Sequence, residues 1–222
     1  MSKDSESKVK SLPVNEAIIK PKQQRSQNTQ QKLLDALHSC LKDRFFEQIS
    51  IKDIAQHAGV SVGTFYRRFK DKESLLPLLY QDFGDDLSAW VSDMEALEFT
   101  SLRDVLEKLT GEMFIFLSSR KSVFRTIHLN ARLHSELFSV DTHVDRRVIY
   151  KRLAAIMLRY EDEITANDKS KAADMVVFTL ITTLLDKTIY PHLTPAVAVT
   201  MPETEFIEEL PKLLFAYFSY QS

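Results

Sequence analysis

The sequence predicts an all-α protein, and three observations support this fold class. Glycine occurs only 4 times in 222 residues, and few segments alternate β-branched with polar residues, which argues against a turn-rich sheet. Apolar residues instead recur three and four positions apart, which is the spacing of one helical face. Hydrophobic residues make up 44% of the chain, enough for a substantial core in one or two domains.

The charge is divided unevenly along the chain. The formal net charge is −2, but residues 1–80 carry 14 Lys and Arg against 9 Asp and Glu. Residues 81–222 carry 15 against 22. Since an acidic surface is repelled by nucleic acid, only the N-terminal part is expected to face such a partner.

The first 23 residues are expected to form a flexible arm, because they are rich in Lys, Ser, Glu and Gln and contain Pro13 and Pro21. Their mixed charge favours a solvated tail over an arm that enters a DNA groove. A first helix is predicted from Ser26 to Arg44. Cys40 lies on its apolar face and is expected to be a packed core thiol rather than a redox sensor.

A second short helix is predicted from Ser50 to Ala58. Ser50 is a suitable N-cap, and Asp53 stands in the position of a capping-box acid. Gly59 then suits a chain reversal that requires a positive φ. The chain is therefore expected to turn sharply after this helix.

A third helix follows this turn, with Ser61 as its N-cap. Phe65 and Phe69 lie four positions apart and are expected to face inward together. Two short helices joined by a tight turn constitute a helix-turn-helix, and the small residues at the start of the third helix would let it approach base edges closely.

The remaining two thirds of the chain are predicted to be helical. Asp71 can cap a fourth helix from Lys72 to Glu95, interrupted by a possible bend at Gly84. The later helices are expected at Leu102–Ser119, Val123–Phe138, Thr142–Glu163, Asp168–Tyr190 and Glu203–Tyr220.

Residues 24–80 resemble the DNA-binding domain of TetR-family transcriptional regulators. The run from Asp53 to Leu76 reproduces most of the family signature in order and spacing, and Gln24 through Leu41 resembles its first helix. Phe45 stands where the family usually has glycine, and because phenylalanine resists a positive φ, that turn is expected to be built differently. The resemblance implies a three-helix DNA-binding domain at residues 24–72 and a larger ligand-binding and dimerisation domain at residues 73–222.

Residues near the exposed starts of the two motif helices can reach base edges in the major groove. The base-contact candidates are Lys52, Val62, Gly63 and Thr64. The phosphate-contact candidates, which match the family pattern, are Arg25, Ser61, Tyr66, Arg68 and Lys72. Lys72 also lies at a predicted helix N-terminus, which favours an anion. The alternatives are a solvated charge at Lys52 or Lys72 and a packed aromatic ring at Tyr66.

The acidic half interleaves large apolar residues with polar ones, a composition typical of ligand pockets. The apolar candidates for the pocket are Trp90, Met113, Phe114, Phe116, Leu117, Phe124, Met157 and Phe178. The polar candidates are His128, Arg132, Asp174 and Asp186. For each residue, ordinary core packing is the competing interpretation. The expected effector is an unidentified small apolar or amphipathic molecule.

The last two predicted helices carry more apolar surface than one chain is expected to cover. Residues 175–185 are apolar nearly all round the helix. The dimer-interface candidates are Phe206, Leu210, Leu213, Leu214 and Tyr217. The family resemblance implies that two such helices from each chain form a four-helix interface.

The sequence gives little support to an enzyme, since it lacks a phosphate-binding glycine loop, a nucleophile elbow and a metalloprotease helix motif. No cofactor or metal is predicted. The N-terminus has no apolar signal segment, and the longest apolar run is too short to span a bilayer, so a cytoplasmic protein without a membrane partner is expected.

We therefore expect a homodimeric, ligand-responsive transcriptional regulator. It is expected to be a repressor that binds a palindromic double-stranded DNA operator. The alternative is a helical protein-interaction or enzymatic module in which the helix-turn-helix is only structural.

Overall fold

The computed structural model of the protein describes residues 19–133, 145–192 and 198–220. Within these ranges the regular secondary structure is helical, which confirms the predicted all-α fold. Side chains are described from Ser26 onward, apart from that of Arg146. The α-helices are α1 (Ile19–Leu41), α2 (Ile51–His57), α3 (Val62–Tyr66), α4 (Leu76–Glu95), α5 (Leu102–Ser119), α6 (Lys121–Leu133), α7 (Arg146–Leu158), α8 (Lys169–Ile189) and α9 (Glu203–Phe218).

Helix α1 begins earlier and ends earlier than the sequence predicts. It starts at Ile19, within the segment whose composition indicates a flexible arm; residues 1–18 of that arm lie outside the described residues. Pro21 falls in the first turn of α1, where the N–H that proline lacks would have no partner within the helix, so it does not prevent the earlier start. The helix ends at Leu41 rather than Arg44.

The turn after α1 is built without a positive φ, as the phenylalanine in it required. Phe45 is extended, with φ −75° and ψ 151°, and a short 3-10 turn follows at Phe46–Gln48. The side chain of Phe46 is buried. A bulky residue can therefore occupy the position where the family usually has glycine.

The two motif helices are capped as predicted. Ser50 Oγ accepts from the Asp53 backbone N–H at 3.1 Å, and the Asp53 carboxylate accepts from the Ser50 N–H at 2.9 Å. Gly59 has a φ of +65° and reverses the chain. Ser61 Oγ then accepts from the Thr64 N–H at 3.1 Å. These short-range bonds satisfy backbone donors that each helix start would leave without a partner.

The fourth helix runs without interruption through Gly84, which is buried, so the interruption predicted there is wrong. It also begins differently, because a 3-10 turn at Glu73–Leu75 precedes α4. Asp71 caps this turn by accepting from the backbone N–H of Ser74 at 2.9 Å. Helix α4 therefore continues directly from the helix-turn-helix into the C-terminal region.

In the C-terminal region α4 packs against α6 and α7, and α5 packs against α8 and α9. The apolar core extends from α1 through α9 as one cluster. Helix α7 ends at Leu158, and a 3-10 turn at Glu161–Glu163 follows where the sequence predicts continued helix. In the part of the chain that the structure describes, no helix is long and apolar enough to cross a membrane, and no group of acidic, histidine or cysteine side chains could hold a metal ion.

Candidate nucleic-acid interface and ligand cavity

The orientation of α3 is set by one apolar anchor. Phe65 is fully buried, and its ring lies 5.5 Å from that of Phe69 and 5.8 Å from that of Tyr66. The opposite face of α3 is open to solvent, with Tyr66 56% and Val62 38% exposed. Gly63 is exposed beside them. The face that the sequence predicts to meet DNA is therefore free to do so.

The hydroxyl groups on this face already have partners within the motif. Thr64 Oγ1 lies 2.9 Å from Ser61 Oγ and accepts from Arg67 Nη2 at 2.8 Å. A Cβ placed on Gly63 would meet only Ser61 Oγ, at 3.8 Å. The fold itself therefore does not require glycine at this position, and any such requirement would come from a partner that approaches closely.

Arg68 connects the end of α3 to α1. Its Nη1 donates to Ser26 Oγ at 2.7 Å, and the side chain is partly buried. Other N–H groups of the guanidinium remain available to an anion, since arginine carries five donors. Lys52 is exposed on α2, whereas the side chain of Arg25 lies outside the described part of the chain.

The structure gives Lys72 internal partners that the sequence did not predict. Its Nζ donates to the backbone carbonyls of Phe46 at 2.9 Å and of Glu47 and Ile49 at 3.2 Å. It also lies 4.7 Å from the centroid of the Phe46 ring. An ammonium has three donors, and all three are used within the protein. In the structure Lys72 thus holds together the turn between α1 and α2.

The carboxylate at the start of α2 is held in its ionised form. The Ser50 backbone N–H and hydroxyl group, followed by the nearby Arg44, lower the pKa of Asp53. Arg44 Nη1 lies 3.1 Å from Asp53 Oδ2. The positive charge of Arg44 is therefore paired within the motif.

An apolar cavity of about 60 Å³ lies in the C-terminal region, among α4, α5, α6, α7 and α8. The rings of Phe83 and Phe124 stack in its wall, with centroids 4.8 Å apart and planes 10° from parallel. The lining residues are Tyr80, Phe83, Gly84, Leu87, Met113, Leu117, Phe124, Ile127, Ile149, Tyr150, Leu153 and Ile181. Met113, Leu117 and Phe124 are thus the predicted pocket residues that line it.

The other apolar candidates lie in the surrounding core. Trp90 packs against Phe116 with ring centroids 5.5 Å apart, and Phe116 lies 5.8 Å from Phe83. Met157 is fully buried, and Phe114 is partly buried against the core. These residues therefore belong to the core rather than to the lining of the cavity, and Phe116 contacts the wall residue Phe83.

None of the four polar candidates lines the cavity. His128 Nδ1 lies 2.7 Å from the hydroxyl group of Tyr190, whose pKa is raised by burial. Asp174 accepts from Lys151 at 2.6 Å on the surface. The other two polar candidates are Arg132 and Asp186. The expectation of a polar group inside the pocket is therefore not supported by this cavity.

The apolar residues that α8 and α9 expose differ from the dimer-interface residues predicted from the sequence. Phe178, which the sequence places in the pocket, is 56% exposed on α8, and Met175 beside it is also exposed. Leu213 is 64% exposed on α9, and Tyr217 is exposed one turn further along. The periodicity of α8 could not distinguish these faces, because the helix is apolar nearly all round.

Two predicted interface residues instead belong to the core of the protomer. Leu210 and Leu214 are buried within the chain, so they are unavailable to a second copy. Phe206 is partly buried, with the Lys187 ammonium 5.3 Å from its ring centroid. The sequence identified the apolar face of α9 but could not show which half of it the same chain covers.

Two side-chain contacts connect the helix-turn-helix region to the C-terminal helices. His38 Nε2 on α1 lies 2.8 Å from Asp82 Oδ2 on α4. The guanidinium carbon of Arg125 on α6 lies 4.0 Å from the centroid of the Phe45 ring. Sequence reasoning missed both contacts, since the partners are far apart in the chain. Arg125 directly follows Phe124, so one short segment of α6 contacts both the cavity and the turn after α1.

Comparison with known proteins supports the resemblance. Residues 33–79 match the family model described as bacterial regulatory proteins, tetR family. The chain is 30% identical over 91 residues to the HTH-type transcriptional repressor KstR2 of Mycolicibacterium smegmatis. This match covers 41% of this chain and 41% of that relative, so it spans well under half of either protein.

Solved structures extend the similarity to the C-terminal region. A TetR-family transcriptional regulator from Mesorhizobium loti is similar with a TM-score of 0.61 and 18% identity, covering 88% of this chain and 97% of that one. The regulator PfmR from Thermus thermophilus has a TM-score of 0.59 and 19% identity, covering 83% and 97%. At these identities the likeness is one of fold.

Proposed function

Since the chain belongs to the TetR family of bacterial transcriptional regulators, we propose that it is a homodimeric repressor released from its operator by a small molecule. The observation that carries this proposal is the face of α3 opposite Phe65. There Val62, Gly63 and Tyr66 are exposed on a helix whose own anchor is fully buried. A rigidly held helix with small residues at its start suits the major groove.

In this proposal residues 24–72 form the DNA-binding domain. Bases are contacted by Lys52, Val62, Gly63 and Thr64. Phosphates are contacted by Arg25, Ser61, Tyr66 and Arg68. With the ammonium of Lys72 engaged internally, two cationic side chains per protomer would neutralise about four phosphates in a dimer, which gives a log-log salt slope of about −4.

The dimer is proposed to form through the exposed apolar side chains of α8 and α9. These helices pack against each other, and each exposes apolar side chains, Met175 and Phe178 on α8 and Leu213 and Tyr217 on α9. A two-fold axis through such a surface brings the same patch of both chains together. It also relates the two copies of α3, which suits a palindromic operator.

The response to a ligand is proposed to start at the apolar cavity and to reach the DNA-binding domain through α4 and α6. The cavity is lined by both helices, and each also contacts the helix-turn-helix region through Asp82 or Arg125. A hundredfold loss of operator affinity requires about 2.7 kcal/mol of coupling between the two sites. The assignment as a repressor is supported by the relative KstR2, which is described as one.

A gel-shift titration against genomic DNA fragments tests this function. The unaltered protein is expected to shift a subset of fragments, with a salt slope of about −4. Arg68→Ala should weaken binding to all fragments and reduce the slope by about 2 per dimer, since each phosphate contact contributes about 0.9. Lys108→Ala removes the same charge from the exposed surface of α5 and should change neither.

Circular dichroism of both variants controls for folding, because Arg68 also bonds Ser26. Failure of the unaltered protein to shift any fragment at low salt would overturn the proposal and leave the helix-turn-helix as a structural element. Equal effects of the two substitutions would show that binding is non-specific attraction to charge.

A further inference from the structure

The chemistry of the cavity narrows the class of ligand that it can take. Its wall consists of aliphatic and aromatic side chains and one glycine, and the described part of the wall contains no charged residue. Among the lining residues only Tyr80 and Tyr150 carry a side-chain hydroxyl group. A ligand that carried a charge into this cavity would lose its hydration without gaining an ion-pair partner, which strongly disfavours its binding.

The lysine and arginine residues adjacent in sequence to the wall are engaged elsewhere. Lys151 and Arg152 follow the wall residue Tyr150, but Lys151 pairs with Asp174 and Arg152 pairs with Glu95. On α6, Arg125 lies over the Phe45 ring. None of these cations is directed to the cavity, so an anionic ligand could use one only by breaking an existing contact.

The size of the cavity indicates how a ligand enters. An engineered apolar cavity of about 150 Å³ is large enough for benzene, whereas this cavity measures about 60 Å³. A molecule with a ring therefore fits only if part of the wall moves. Phe83 is buried on α4, but Phe124, stacked against it, is partly exposed on α6. Of this stacked pair, Phe124 is consequently the ring that can move outward more readily.

We infer that the effector is an uncharged, largely apolar molecule, and that a ligand as large as a benzene ring enters by separating Phe124 from Phe83. The inference rests on the proposed function, because it specifies the ligand of the cavity assigned there. Displacement of Phe124 moves the segment of α6 that carries Arg125. The contact between Arg125 and Phe45 is therefore disturbed by the act of binding.

The chain provides an internal probe for this event, because Trp90 is its only tryptophan. Trp90 packs on Phe116, which packs on Phe83. The full-length protein is titrated with phenethyl alcohol, phenylacetate and phenethylammonium, which share one carbon skeleton and differ in charge, while Trp90 fluorescence is recorded. The alcohol should give a saturable change, and both ions should bind weaker by about a hundredfold or more.

Two variants locate the binding event. Gly84→Leu fills the cavity from α4 and should abolish the response to phenethyl alcohol. Phe124→Ala enlarges the cavity and should strengthen binding of the alcohol. If circular dichroism shows that Gly84→Leu is unfolded, Phe124→Ala is the variant that tests the site. An ion that binds as tightly as the alcohol, or a folded Gly84→Leu protein that binds the alcohol unchanged, would overturn the inference. So would the absence of a saturable response in both the unaltered protein and Phe124→Ala.

A gel shift on the same preparation separates this inference from the proposed function. Selective binding of the alcohol by a protein that shifts no DNA would refute the regulator but keep the ligand class. A protein that shifts DNA and binds all three probes alike would keep the regulator and refute the ligand class.

Discussion

The helix starts of the helix-turn-helix and the packing of the C-terminal region depend on contacts of different range. In the helix-turn-helix, Ser50 bonds Asp53 and Ser61 bonds Thr64, each three positions along the chain. In the C-terminal region, Arg152 of α7 instead reaches back to Glu95 of α4 with bonds of 2.8 and 2.6 Å. The starts of the two motif helices are therefore encoded locally, whereas Arg68 and Lys72 join the motif to residues more than twenty positions away. The cavity and the exposed apolar surface arise only when distant helices pack together.

Replacement of the α3 anchor should separate the two regions most clearly. Phe65→Ala is expected to destabilise the helix-turn-helix by about 3–5 kcal/mol, because a fully buried ring leaves a cavity. DNA binding should be lost, while dimerisation and the Trp90 response to phenethyl alcohol remain. Tyr66→Phe, which changes only the exposed neighbour, should keep the fold. Loss of the dimer in Phe65→Ala would show that the fold of the C-terminal region depends on the anchor of α3.

A charge introduced into the proposed dimer surface should prevent dimerisation. Leu213→Glu places a carboxylate in the proposed interface, where its desolvation opposes association. Light scattering should detect monomers at micromolar concentration, where the unaltered protein is a dimer. Ile115→Glu makes the same change at an exposed apolar residue of α5 and should leave the dimer intact. A dimer unaffected by Leu213→Glu would place the interface elsewhere.

The internal contacts of Lys72 predict that its replacement lowers the stability of the fold. The salt dependence of DNA binding should not change. Lys72→Ala leaves three backbone carbonyls without their shared ammonium, at a cost of about 1–3 kcal/mol. Its salt slope should match that of the unaltered protein, measured under conditions where the variant is folded. Lys52→Ala, at an exposed position, should keep the stability and alter base preference. If Lys72→Ala instead had a smaller salt slope and unchanged stability, Lys72 would be a phosphate contact.

The contact between α6 and the turn after α1 should have a smaller effect. Arg125→Ala removes a cation–π contact worth about 0.5–1 kcal/mol. We expect a slightly lower Tm and a reduced effect of phenethyl alcohol on DNA affinity. Arg132→Ala, at an exposed position of the same helix, is the control. An undiminished ligand effect in Arg125→Ala would show that the signal passes through α4 alone.

The smallest expected effect concerns pH. The pKa of Asp53 in the folded protein is lowered, first by the bonds from Ser50, from about 3.9 in the unfolded chain. Its contribution to stability is therefore present above about pH 4 and is lost as the pH falls through the folded-state pKa. The Tm difference between the unaltered protein and Asp53→Asn should shrink in acid. A difference that persists below the folded-state pKa would show that the carboxylate charge is not responsible.

The same contrast of range explains what the sequence could predict. Caps such as Ser50 and Ser61, and the positive φ of Gly59, depend on neighbours in the chain and were predictable from type and spacing. The internal bonds of Lys72 were not, because its carbonyl partners lie more than twenty residues away. Phe178 was placed in the pocket for its residue type, but only the packing of α8 shows that it faces outward.

The prediction of the dimer interface also failed on α9, because one apolar helix face serves both the core of the protomer and the exposed surface. Leu210 and Leu213 follow the same apolar pattern on α9, yet the first is buried and the second exposed. Three residues of the cavity wall were predicted from the sequence. The rest of the wall depends on how five helices pack together. A single sequence provides no distances between such helices.

The most direct test of the account is a footprint of the protein on a genomic fragment that it selects at low salt. Two copies of α3 related by a two-fold axis should protect two inverted half-sites, with centres about one helical turn or a whole number of turns apart. Val62→Ala should change base preference within both half-sites, without changing their spacing. Protection of a single unpaired half-site by the dimeric protein, or no protected sequence at all, would contradict the proposal that the dimer binds a palindromic operator.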